Sequence, residues 1–213
     1  MKLILKSPLK FWGINQEFGA NANNWYKESN MLGHNGIDFF ALDSTPVYAA
    51  HDGRVTFSGY DGGGGLGIVI RTEEKFDYYN TETGKLEPSY FKTVYWHLKK
   101  GSIVVTGSQS VKAGDLIALA DNTGRSTGAH LHFGLKPIYR GEQDWEWWNT
   151  FHNNGYKGAI DPIPFFEKVT PPEDLNLIKH KELQELLNKY GASLVVDGNI
   201  GPKTRLALQA FTG

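Results

Sequence analysis

Two pairs of residues in the chain have the types and spacings from which metal-assisted or acid–base chemistry can be built. The first is His34 and Asp38, in the run Gly33-His34-Asn35-Gly36-Ile37-Asp38-Phe39-Phe40. In an extended strand, residues four apart stand about 13 Å from each other, too far to share an ion. A bend must intervene, and Asn35-Gly36 is a strong turn dipeptide. With that bend an imidazole and a carboxylate could converge on one cation; otherwise they are a surface histidine and a turn-capping aspartate. The second pair, His130 and His132, flanks Leu131. On a strand both imidazoles project from one face, about 6.6 Å apart at the backbone, with Leu131 on the other face. Two neighbouring ligands, or one ligand and one base, both fit that spacing. Two imidazoles on one face are uncommon as mere packing, because each buried ring needs hydrogen-bond partners. His97, in Tyr95-Trp96-His97-Leu98, closes a strand of alternating character and, taken alone, reads as a satisfied histidine at a sheet rim. His51 precedes Asp52-Gly53 and reads as an exposed turn residue, while His152 and His180 sit in polar surroundings without a paired ligand.

Composition narrows what these residues can do. The chain has 213 residues and no cysteine, so it has no disulfide framework and no thiolate ligand, and any metal must be held by His, Asp or Glu. Its formal net charge is -1 and it carries no long basic run, which excludes the electrostatic footprint of non-specific nucleic-acid binding. No segment is long and apolar enough to span a bilayer. The opening run Met1-Lys2-Leu3-Ile4-Leu5-Lys6 is far shorter than a secretory apolar region of about 7 to 15 residues. The expectation is a mature form lacking its signal peptide, or a phage lysin released on lysis.

The elements that must position these side chains are short strands. Up to about Lys168, β-branched and aromatic runs alternate with Gly and Asp turns, as in Val47-Tyr48-Ala49-Ala50, Asp52-Gly53 and Arg54-Val55-Thr56-Phe57, which reads as a hairpin. Further strands are expected at residues 68–71, 92–97, 116–119 and 130–135, giving an antiparallel, mainly β domain over residues 1–168. Val169-Thr170-Pro171-Pro172-Glu173-Asp174 disfavours helix and central strand and predicts a linker, assigned to 169–176. Beyond it the period changes. Leu183, Leu186, Leu187 and Tyr190 recur at helical spacing, Gly191 is a plausible C-cap, and a second helix carries Leu206, Leu208 and Phe211. These predict a small all-α domain over 177–213, marginal in stability alone.

Six motifs in order then resemble one family. They are His34-x-x-x-Asp38; Thr45-Pro46-Val47-x-Ala49-Ala50-x-Asp52-Gly53; Tyr95-x-His97-Leu98; Gly114-Asp115-Leu116-Ile117-Ala118; Thr123-Gly124-x-Ser126-Thr127-Gly128; and His130-Leu131-His132-Phe133. This stretch is similar to the lysostaphin-type (LytM-type) zinc endopeptidases of bacteria and their phages. The resemblance implies a barrel-sandwich or duplicated hybrid β fold that cuts peptide bonds of bacterial peptidoglycan. It implies Zn2+ held by His34, Asp38 and His132, with a water completing the tetrahedron. It also implies that His130 and His97 flank that water and the scissile carbonyl, His130 as general base and His97 binding the oxyanion or positioning the water. The C-terminal stretch, with Leu183-Gln184-x-x-Leu187, Asp197-Gly198-x-x-Gly201 and Thr204, resembles the helical peptidoglycan-binding domain of wall hydrolases. A monomer acting on the cell wall is expected.

Three segments are less clear-cut. Residues 72–91 form an insert, either a wall that reshapes the cleft or a solvated surface excursion. Asp61-Gly62-Gly63-Gly64-Gly65-Leu66-Gly67 is followed by a strand, not a helix, so it fails as a dinucleotide fingerprint and reads as a sharp turn near the cleft. Trp145 to Phe151 concentrates aromatics best read as packing. Competing functions are a non-catalytic wall-binding or regulatory protein of the same fold, a lipoyl-type carrier and a glycosidase. No ligand is lost as the first requires, no Met flanks a hairpin-tip lysine as the second requires, and no carboxylate pair signals the third.

Overall fold

Alternation between buried apolar and outward-facing residues builds the molecule. The computed structural model describes residues 1–10, 13–21, 25–80, 84–138, 154–167, 173–189, 194–199 and 204. Its strands are β1 (Ile14–Gln16), β2 (Ile37–Phe40), β3 (Pro46–Tyr48), β4 (Gly53–Asp61), β5 (Gly65–Arg71), β6 (Phe76–Asn80), β7 (Lys85–Trp96), β8 (Ser110–Val111), β9 (Leu116–Leu119) and β10 (His130–Ile138). Two helices, α1 (Trp25–Glu28) and α2 (Glu173–Lys189), accompany them. The main sheet runs β1-β2-β10-β7-β5-β4-β8 with β6 pairing β7, and β3 and β9 form a second, two-stranded sheet. Every pairing between named strands is antiparallel. The architecture is thus mainly β, as expected.

Strand period assigns the two faces. Leu131, Phe133 and Leu135 of β10, Phe91 and Tyr95 of β7, and Ile68 and Ile70 of β5 are fully buried in one core, joined there by Val47 and Ile117. Each such side chain contributes roughly 1.5–3 kcal/mol. The intervening residues, His130, His132, Gly134 and Lys136 on β10, and Val94 and Trp96 on β7, therefore face the other way, into a cleft. Cross-strand register aligns them: His132 lies opposite Trp96, Gly134 opposite Val94 and Lys136 opposite Lys92. The N-terminal segment is tied to residues 165–167, with Leu5 N–H donating to Phe165 O and Glu167 N–H to Leu5 O, both at 2.8 Å.

Three expectations need correction. The hairpin expected at 47–57 does not form, because β3 pairs β9 whereas β4 pairs β5 and β8. Its turn is captured by another loop: Ala49 and residues 114–115 exchange backbone bonds of 2.8 and 2.9 Å, and the Asp52 carboxylate accepts from Ala113 N–H and Lys112 Nζ, each at 2.8 Å. The chain crosses there from one sheet to the other. His51 is accordingly buried, not exposed, its ring bonded to Asp52 O at 2.8 Å and the Thr93 hydroxyl at 3.0 Å. Finally, α2 begins at Glu173, inside the stretch assigned to the linker. Acidic residues following a proline suit a helix N-terminus, where the backbone dipole favours negative charge.

The insert is a hairpin, with β6 and the outer part of β7 in register from Phe76–Ser89 to Asn80–Lys85. It continues one strand of the core outward. Leu183 and Leu187 of α2 pack on Phe40 and Leu42 of the β unit. Gln184, buried, binds the Asp197-Gly198 loop: its amide donates to Asp197 Oδ1 at 2.8 Å and Asn199 O at 2.9 Å, and accepts from Gly198 N–H at 2.8 Å. Gly191, the second helix expected after Pro202 apart from Thr204, and the aromatic run from Trp145 lie outside the described residues. No described helix is long and apolar enough to cross a membrane.

Candidate metal centre and active-site cleft

The bend required between His34 and Asp38 is present. Residues 35 and 36 turn the chain, and β2 starts at Ile37, so His34 folds back over the strand that carries Asp38. Gly36 is needed there because a Cβ would sit 2.5 Å from Phe133 O and 2.8 Å from the His132 ring. Asp38 lies directly opposite His132 in the β2–β10 ladder. Three atoms converge: His34 Nε2 stands 2.9 Å from His132 Nδ1 and 3.1 Å from Asp38 Oδ1, which is 3.0 Å from His132 Nδ1. Among the described residues this is the group that could hold a metal ion.

The donor set fits zinc. Ligands at about 2.05 Å in a tetrahedron lie about 3.3 Å apart, close to the separations seen, and two imidazoles with one carboxylate make a common zinc set. His34 Nδ1 lies 3.2 Å from Glu17 O, a carbonyl that can only accept, so Nδ1 carries the proton and the Nε2 lone pair faces the cluster. Burial opposes charge on Asp38, yet the bonds from His132 and His34 and their charges outweigh it and hold its carboxyl well below the usual carboxylate range. For His132 burial prevails over Asp38 and lowers its pKa, favouring the neutral imidazole that a metal needs.

The other two histidines share a construction. His130 Nδ1 lies 2.8 Å from Gly128 O, and His97 Nδ1 2.7 Å from Thr123 O. Each carbonyl demands a donor, so both rings carry their proton on Nδ1 and present a bare Nε2. His130 Nε2 reaches to 3.6 Å from Asp38 Oδ1, and its ring centre lies 4.5 Å from that of His97. His97 is held at φ 62°, a left-handed conformation rare for a non-glycine residue, by its N–H bonding Gly64 O and its carbonyl accepting from Asp121 N–H, each at 2.9 Å. Burial first, then the His130 and His132 charges, lowers its pKa to about 4. All five side chains singled out in the sequence thus meet in one cluster.

The glycine tract serves this arrangement. Side chains at Gly64 or Gly67 would collide with the Trp96 ring, and Gly65 packs backbone to backbone on Thr123 and Gly124. Leu66 N–H donates to the Thr123 hydroxyl at 3.1 Å and Arg125 N–H to Gly63 O at 2.9 Å. The tract therefore locks the loop that orients His97.

The cleft has a volume of about 1080 Å³ and runs from the histidines past Trp96, Val94, Val69 and Phe57 to Lys92, Lys136 and Lys157. None of the described residues of the 72–91 insert lines it, which favours the surface-excursion reading. Sequence reasoning passed over several lining residues. Tyr26 lies 5.9 Å from the His34 ring and bonds Gln16 at 2.8 Å; burial first, then the Asp38 charge, raises its pKa. Arg125 stacks 4.3 Å from the Trp25 ring and pairs with Glu28 at 3.2 Å, joining the two cleft walls. No local signal marks either, whereas the alternation through His132 would have pointed to Lys136.

Comparison with known proteins agrees with this geometry. The model of peptidase family M23 matches residues 32–144, more than half of the chain. The peptidoglycan DD-endopeptidase ShyB of Vibrio cholerae serotype O1 is 42% identical over 103 residues, covering 48% of this chain and 20% of that protein. The glycyl-glycine endopeptidase ALE-1 of Staphylococcus capitis is 33% identical over 161 residues, covering 74% and 36%. A solved zinc-containing peptidase from Vibrio cholerae matches with a TM-score of 0.52 at 26% identity, over 75% of this chain and 39% of that one. The chain spans from 20% to 36% of the length of such curated relatives. The fold, the converging donor atoms and the match over residues 32–144 together place the chain in peptidase family M23.

Proposed function

We propose that the chain is a zinc endopeptidase that hydrolyses peptide crosslinks or bridges of bacterial peptidoglycan, with zinc held by His34, Asp38 and His132 and with His130 and His97 completing the catalytic set. The observation that carries this reading is the convergence of His34 Nε2, Asp38 Oδ1 and His132 Nδ1 within 2.9–3.1 Å, beside two histidines whose Nε2 atoms are bare. Zinc bound there supplies Lewis acidity toward the substrate carbonyl and acidifies the attacking water to near neutral pH.

His130, with Nδ1 tied to Gly128 O, accepts the proton of the attacking water at Nε2 and returns it to the leaving amine. His97 has the same tautomer, fixed by Thr123 O. A neutral ring with that tautomer accepts but does not donate at Nε2, so His97 positions the water instead of binding the oxyanion. The apolar stretch of the cleft, Trp96, Val94 and Val69, takes an extended strand and limits water around the reacting bond.

In this reading the chain divides into a peptidase unit over residues 1–168 and a wall-binding helical module that starts with α2 at Glu173, and it acts on the cell wall outside the cytoplasm. Support for the module is the Asp197-Gly198 loop bound to Gln184, with Thr204 3.3 Å from the same amide. Digestion of purified peptidoglycan tests the activity. New amino groups without new reducing ends are expected; reducing ends would make the chain a glycosidase, and neither product would favour a non-catalytic wall protein.

A further inference from the structure

Ser126, on the loop between β9 and β10, is half-buried, lines the cleft and has no part in the chemistry set out above. Its hydroxyl oxygen lies 2.8 Å from Gly128 O, 3.2 Å from His130 Nδ1 and 3.4 Å from Gly128 N, while His130 Nδ1 is itself 2.8 Å from Gly128 O. Three protons have to be placed among these groups. The Gly128 carbonyl can only accept, so the His130 Nδ1 proton faces it and the hydroxyl has no lone pair on Nδ1 to donate to. The hydroxyl therefore donates to Gly128 O, and its own lone pairs take a share of the Nδ1–H and a long bond from Gly128 N–H. This arrangement satisfies every contact and ties the carbonyl and the ring to one oxygen.

His97 is held without such a device. Its backbone is fixed by Gly64 O and Asp121 N–H, and the Thr123 hydroxyl is engaged elsewhere, donating to Leu98 O at 2.7 Å and accepting from Leu66 N–H at 3.1 Å. His130 opens β10 with its side chain 15% exposed, so its Nε2 is aimed only as well as its Nδ1 is held. The residue before Ser126 braces the loop on two sides: Arg125 N–H bonds Gly63 O at 2.9 Å, and its guanidinium pairs with Glu28 and stacks on Trp25. We propose that Ser126 is a positioning residue for the hydrolysis, its hydroxyl fixing the Gly128 carbonyl and sharing the Nδ1–H so that His130 Nε2 points at the attacking water. This rests on the peptidase reading above. A general base contributes about 10²–10⁴-fold, and does so only when its lone pair lies along the path of the proton. That alignment matters while the proton moves, so its loss lowers kcat and leaves KM in place.

The test compares the zinc-loaded full chain with Ser126→Ala and Ser126→Thr on a defined crosslinked muropeptide. Ser126→Ala should lose about tenfold in kcat at near-constant KM, with its zinc content unchanged, and Ser126→Thr, which keeps the hydroxyl, should restore most of the loss. Proton NMR reads the same contact without turnover. The His130 Nδ1–H resonance, identified by its disappearance in His130→Gln, should exchange with water about two- to tenfold faster in Ser126→Ala, the factor for one lost hydrogen bond, and return toward the wild-type rate in Ser126→Thr. A kcat within about twofold of wild type, a loss carried by KM or by zinc content, or a loss that threonine does not restore would overturn the positioning role and leave the peptidase reading intact. Absence of turnover in the wild type would count against the peptidase reading, and the exchange rate would still decide the contact: equal rates in wild type and Ser126→Ala would refute it.

Discussion

Strands β7 and β10 bury polar groups at both ends of one sheet face, but the two ends are finished differently. At the His132 end the rings of His34, His97 and His130 each have a backbone carbonyl that fixes the tautomer, and the donor atoms of His34, Asp38 and His132 converge on one point. At the Lys136 end two ammoniums face each other across the ladder with one described hydrogen bond for Lys136. The first end is organised to receive a cation, whereas the second holds two buried ammoniums side by side. The difference shows that a sheet face brings side chains together, while the loops that supply carbonyls fix how those side chains are oriented.

Breaking the histidine end should have the largest effects. His132→Ala removes a nitrogen donor from the centre of the trio and should abolish both stoichiometric zinc binding, read by metal analysis of the purified protein, and hydrolysis. His130→Ala should keep its zinc and lose turnover by about 10²–10⁴-fold, the range for a general base; equal metal loss in the two variants would refute the division of roles. Next in size is Gly36→Ala, whose Cβ would press on Phe133 O and the His132 ring. It should cost about 1–3 kcal/mol of stability by overpacking, and chemical unfolding with and without zinc should show that most of the stabilisation by the metal is lost with it.

At the lysine end the smallest effect, and the sharpest contrast, is in pH. The folded-state pKa of Lys136, about 8, is below its ordinary value. The folded chain therefore binds fewer protons than the unfolded chain between about pH 8 and 10.4, and stability should rise with pH across that window. Below pH 8 the burial cost is present in full. Lys136→Met should be more stable than wild type at pH 7 by about 1 kcal/mol or less, the size of a like-charge cross-strand pair, with the advantage fading toward pH 10. Denaturant midpoints of both proteins at several pH values check this, and an advantage that grew with pH would contradict it.

How far these ends are legible in the sequence follows from the range of the interactions. The strands at 68–71, 92–97, 116–119 and 130–135 show through local period, and His130 and His132 share a face because they stand two positions apart on a strand. The bend before Asp38 is also local, written in Asn35-Gly36. The partner of a strand is not local: nothing in residues 47–57 says that β3 leaves for β9, and so His51 is misread as exposed when a loop more than sixty residues later covers its turn. Lys92 and Lys136 are unremarkable as single residues, and only their register, forty-four positions apart, makes them a pair. The start of α2 is missed for a different reason, because the acidic residues read as part of a linker are favoured in a helix's first turn.

The central claim is that three side chains hold one zinc ion. A crystal structure of the zinc-loaded protein tests it most directly: His34 Nε2, His132 Nδ1 and Asp38 Oδ1 should all lie about 2.0–2.2 Å from a single ion, with His130 and His97 outside bonding distance. An ion bound through His130 or His97, or a trio that stays apart in excess zinc, would contradict the account.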